Sequence, residues 1–97
     1  MNYFTFQDVL DTYQTECKIM ELLGNAYGGC SGKYYLTDSL ANGKPVWKKN
    51  DGSRRIATYG NGWACFQNPG TGYYIQTTDA DRPLNGTWSV PIKCIEY

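Results

Sequence analysis

Histidine is absent from this chain, and with it the side chain that most often moves protons near neutral pH. Triads built on histidine are therefore excluded. The remaining acid–base candidates are Asp79 and Asp81, in Asp79-Ala80-Asp81-Arg82-Pro83. On a strand these two carboxylates share a face, but catalysis would also require a cleft that drives their pKa values apart. Beside Arg82 and Pro83 the pair reads more simply as a turn, and the spacing is not that of an EF-hand calcium loop. The four cysteines, Cys17, Cys30, Cys65 and Cys94, form no CxxC pair, so a tetrahedral zinc site would need all of them. They read as buried thiols or as one or two disulfides. If the protein is exported, strand alternation and sequence proximity favour Cys65 with Cys94 and Cys17 with Cys30. The glycines at 24, 28, 29 and 32 cluster without a strand-to-helix phosphate loop after them. No catalytic residue, metal site or cofactor is expected, and the chain reads as a binding module rather than an enzyme.

Two patches suit binding. Lys44, Lys48, Lys49, Arg54 and Arg55 surround Asn50-Asp51-Gly52 with Trp47 among them, a β-ribbon that could hold phosphates and stack bases. The same lysines on a solvated hairpin discourage edge-to-edge pairing. Nine basic and nine acidic residues cancel, so no global field draws the chain to nucleic acid or an anionic membrane, and nucleic acid is the second reading, through Trp47, Lys48, Lys49, Arg54 and Arg55. The other patch is aromatic: nine tyrosines, three tryptophans and three phenylalanines exceed what so small a core can hide. Tyr34 or Tyr35, Tyr59, Tyr74 and Tyr97 are candidates for an exposed platform, since tyrosine combines rigid contact area with a polar tip. Cross-strand packing would use them equally well.

The elements that must position these residues follow from periodicity. Phe6, Val9, Leu10, Tyr13, Cys17 and Met20 recur at three- and four-residue steps, which predicts an amphipathic helix over 5–23, started by Thr5 and Asp8 and stopped by Gly24-Asn25; a strand over 17–23 competes with its last turns. Beyond Gly29 come short runs rich in Tyr, Trp, Ile, Val and Thr, punctuated by Asn42-Gly43, Asp51-Gly52, Asn61-Gly62, Pro69-Gly70 and Asn85-Gly86. These predict strands at 33–37, 45–49, 54–59, 63–67, 73–78 and 87–95. Asn85-Gly86-Thr87 also has the form of a glycosylation acceptor. The expected architecture is one α+β domain over 1–97, a helix packed on a meandering antiparallel sheet of about six strands over 33–95 that curls towards a barrel, with all-β as the alternative. No apolar run approaches the roughly 20 residues that span a bilayer, and residues 1–10 lack the charged start and apolar centre of a signal peptide. The compartment stays open. Alternation puts Trp63, Cys65, Tyr73, Ile75, Trp88, Val90, Ile92 and Cys94 inside, and Phe66, Tyr74, Gln76, Thr78, Ser89 and Lys93 on the opposite face.

The run Cys30-Ser31-Gly32-Lys33-Tyr34-Tyr35, with Asn42-Gly43-Lys44-Pro45-Val46-Trp47-Lys48-Lys49, Gly72-Tyr73-Tyr74-Ile75, Asp79-Ala80-Asp81 and Gly86-Thr87-Trp88-Ser89-Val90, resembles a small β module scattered through proteins of invertebrates and single-celled organisms. The likeness covers roughly residues 17–90 and implies an accessory module without a catalytic residue. The expected function is recognition of a protein or glycan through Tyr35, Tyr59, Tyr74, Gln76 and Thr78.

Overall fold

The computed structural model describes residues 16–97. Their backbone forms seven strands, Ile19–Leu22 (β1), Gly32–Ala41 (β2), Lys44–Lys49 (β3), Arg54–Tyr59 (β4), Gly62–Gln67 (β5), Tyr73–Gln76 (β6) and Ile92–Glu96 (β7), with two 3-10 turns, Tyr27–Gly29 and Pro83–Asn85. All strands join one antiparallel sheet in the order β6-β5-β4-β3-β2-β1-β7, curled into half a barrel. Six strands meander and the seventh returns to the first.

The α+β expectation is corrected: the described fold is all-β. Residues 5–15 of the expected helix lie outside the described residues, but Ile19–Leu22 is a strand flanked by β2 and β7. Met20 and Leu22 are buried while Ile19 and Glu21 are half-buried, a two-residue period. The helical spacing of Cys17 and Met20 obscures it. Pairing on both edges decides a segment this short, because every backbone donor and acceptor finds a partner without a helix.

The last strand is shorter than the expected 87–95 and does not lie beside β6. It crosses to β1, placing Cys94 opposite Met20. Cys94 therefore bonds Cys17, while Cys30 and Cys65 are buried free thiols. Both expected pairings are thus corrected, since four strands separate β5 from β7 in the sheet. Asn85-Gly86 is not a hairpin either: Gly86 has φ −84° and follows a 3-10 turn. Asn42-Gly43 does reverse the chain, with φ of 53° and 77°, the left-handed pair that a two-residue hairpin requires.

Curling brings the inner side chains together around Trp47, Trp63 and Trp88, with Met20, Leu22, Tyr34, Ile56 and Ile75. Trp47 and Trp63 meet edge to face, centroids 5.7 Å apart. A buried indole N–H needs an acceptor. Trp47 donates to the Cys17 carbonyl at 2.7 Å, Trp63 to Ala80 at 3.1 Å and Trp88 to Pro83 at 2.9 Å.

Candidate functional site

Residues directly opposite on neighbouring antiparallel strands share a face, so the strand registers identify what the outer surface displays. Tyr35 lies opposite Lys48, Lys48 opposite Arg55, Arg55 opposite Phe66 and Phe66 opposite Tyr73. The five side chains form a single row across β2 to β6. Val46, Ala57 and Ala64 pack with Phe66 in the outer cluster.

One end of the row is an aromatic group. Tyr59 joins it from the end of β4, its ring 4.6 Å from Tyr73 and 6.2 Å from Phe66, and Phe66 and Tyr73 are 6.5 Å apart. The neighbouring Tyr73 hydroxyl raises the Tyr59 pKa. Phe66 is buried beneath, whereas Tyr35, Tyr59 and Tyr73 each keep more than two-fifths of their surface exposed. The Arg55 guanidinium lies 4.9 Å over the Phe66 ring and donates to the Gln67 carbonyl at 2.8 Å. Stacking and hydrogen bonding together orient its planar fork. At the other end, a shallow hollow of about 410 Å³ runs beside Tyr35 and Lys48 to the tip at Asn50-Asp51-Gly52. The acid on its rim, Asp51, accepts from the Ser53 hydroxyl at 2.6 Å and its backbone N–H at 2.9 Å. Those two bonds hold its pKa below the usual carboxylate value.

The structure places the expected site residues on different faces of the sheet. Tyr35 and Tyr59 are on the outer face, as is Gln76, opposite Ala64. Tyr74 is not. A register shift between Cys65 and Phe66 inserts an unpaired residue in β6, so Tyr73 faces outward and Tyr74 turns with Ile75 towards the core. Such a bulge reverses the simple alternation. Tyr74 packs instead beneath the turn Tyr27–Gly29, 4.6 Å from the Arg54 guanidinium and 6.2 Å from Tyr27. Thr78 lies beyond β6, and its hydroxyl accepts from the Thr87 N–H at 3.2 Å.

The basic hairpin is likewise divided. Trp47 is wholly buried. Lys49 donates to the Gly29 carbonyl and Arg54 to the Gly28 carbonyl, both at 2.8 Å. Lys48 and Arg55 remain on the outer face. Gly28 shows why the inner pair is structural: its φ is +73°, and a Cβ there would lie 2.3 Å from the Tyr74 ring. Left-handed strain and overpacking together should make Gly28→Ala cost about 3 kcal/mol. A lowered urea midpoint with unchanged slope would verify this; an unaltered midpoint would contradict the packing.

Asp79 and Asp81 are exposed and border neither hollow. A second, more enclosed hollow of about 170 Å³ lies by Met20, Trp47, Pro83 and Tyr97. Glu16 on its lining is buried and paired with Arg82 at 3.0 Å. Among the described residues no three acidic, thiol or imidazole groups are placed to hold a metal ion, and no helix is long and apolar enough to cross a membrane. Comparison with protein-family models, curated proteins and solved structures finds no match for the chain. The functional reading therefore rests on the geometry.

Proposed function

We propose that this domain is a non-enzymatic recognition module that holds a glycan chain on the outer face of its sheet, along Tyr35, Lys48, Arg55, Phe66 and Tyr73 with Tyr59 beside them. The observation that carries this reading is the unbroken cross-strand row. With strands about 4.8 Å apart, the row extends roughly 19 Å and is one side chain wide, a shape that suits a chain-like ligand. Sugar rings present apolar C–H faces to tyrosine rings and hydroxyl or carboxylate oxygens to lysine and arginine. A stable protein interface needs roughly 800 Å² on each partner around a dry centre, which a narrow row supplies less well. Nucleic acid loses support because Lys49 and Arg54 are committed to the backbone carbonyls of the turn Tyr27–Gly29.

The test is a glycan array followed by titration of the strongest hit. Tyr73→Ala should weaken binding at least tenfold while costing only about 2 kcal/mol of stability, the scale of its two aromatic pairs. Undiminished affinity in the folded variant would remove the row from the site. Affinity for a single-stranded oligonucleotide that falls steeply with salt would instead restore the nucleic-acid reading.

A further inference from the structure

Cys30 and Cys65 come from opposite ends of the meander, one just after the turn Tyr27–Gly29 and the other in the middle of β5. Both have no exposed surface. Tyr34 is wholly buried with them; its hydroxyl donates to the Cys30 carbonyl at 2.7 Å and lies 3.2 Å from the Cys65 sulfur. One phenol thus bridges the Cys30 backbone and the Cys65 sulfur, and each thiol shifts the titration of the other. Two enclosed thiols gathered about one phenol are placed to form a disulfide. The chain already contains the Cys17–Cys94 bond, so these thiols would meet the same oxidising conditions.

We propose that Cys30 and Cys65 are a second disulfide site, which fastens the turn Tyr27–Gly29 to β5 when the protein is oxidised. The surroundings of the two thiols define the order of events. The neighbouring Cys30 thiol lowers the Cys65 pKa, the Tyr34 hydroxyl lowers it further, and the cationic groups of Arg54 and Lys49 act in the same sense. Cys65 and burial in turn raise Cys30. Cys65 is therefore the attacking thiolate. It attacks the disulfide of an oxidant such as oxidised glutathione, releasing one glutathione thiolate and forming a mixed disulfide. Cys30 then gives up its proton, bonds the Cys65 sulfur and expels the second glutathione thiolate. The two cysteine thiol protons leave, and the two electrons released by forming the S–S bond reduce the oxidant's disulfide to two thiols. Because both sulfurs are enclosed, exchange takes place when the turn Tyr27–Gly29 opens.

Purified protein is incubated with oxidised glutathione at a urea concentration below the unfolding midpoint, then fully denatured, alkylated, digested and mapped by mass spectrometry. The expected result is a Cys30–Cys65 cross-linked peptide beside Cys17–Cys94, no alkylation at any cysteine, and a melting temperature raised by about 15 °C or more, as a mid-length loop closure implies. In Cys30→Ala the remaining Cys65, and in Cys65→Ala the remaining Cys30, should be alkylated or carry one glutathione, and the rise should vanish in both. Alkylation at both Cys30 and Cys65 of the treated parent protein would overturn the proposal, as would mixed glutathione adducts that never resolve or a link from either residue to Cys17 or Cys94. The mapping of the parent protein needs no variant to fold.

Discussion

Trp63→Ala is expected to cost about 3–5 kcal/mol, the range for deleting a buried tryptophan, and so to lower the melting temperature by well over 10 °C in a domain of this size. Three losses coincide at that position. The side chain is wholly enclosed, its ring meets Trp47 edge to face, and its N–H satisfies the Ala80 carbonyl. Removing it leaves a cavity at the centre of the curl together with an acceptor that no longer has its donor. Trp63→Phe retains much of the volume and loses the hydrogen bond, so it should fall between parent and alanine variant. Urea denaturation of the three proteins gives the order directly. A Trp63→Ala protein as stable as the parent would mean that the inner and outer faces of the sheet have been assigned the wrong way round.

The second large effect belongs to Cys17–Cys94, which closes a loop with a sequence separation of 77. Chain-entropy arguments give about 4 kcal/mol for a loop of that length, and losses of about 2–5 kcal/mol are usual when small domains lose a native bridge. Cys94→Ser should bring a comparable loss, and it should act on a definite place. Cys17 also provides the carbonyl that holds Trp47, and Cys94 lies opposite Met20 on β1. Hydrogen exchange in the variant should therefore accelerate first in β1 and β7, while β3, β4 and β5 stay protected. Uniform acceleration would show that the bridge acts on the whole chain rather than on this seam.

Much of the meander was legible because tight turns leave strong local marks. Asn42-Gly43 can do little but reverse a chain, and strands β3, β4 and β5 lie within a residue of where their β-branched and aromatic residues put them. What was illegible was non-local. Nothing in the residues around Ile92–Glu96 states that they pair with β1 rather than β6, yet that crossover decides both the cysteine partners and the fate of Ile19–Leu22. The facing of Tyr73 and Tyr74 was illegible for a different reason. One extra residue in β6 exchanged the faces of Tyr73 and Tyr74, and alternation alone cannot sense a bulge. Arg55, Ala57 and Tyr59 did carry a usable signal, since they alternate against buried Ile56 on β4. Combined with the β4–β5 hairpin register, it would have placed Arg55 against Phe66.

The link from Trp47 to Cys17 also gives the molecule an optical property. All three indoles are enclosed, so their emission should lie well to the blue of tryptophan in water. Trp47 rests on a residue of the bridge itself, its N–H bonded to the carbonyl of Cys17. Disulfides accept electrons from excited indoles and quench them on contact. Breaking the bridge without unfolding the chain should therefore brighten the fluorescence with little change of colour, whereas unfolding should shift it to the red. Light emission alone then distinguishes an intact domain, a reduced one and an unfolded one.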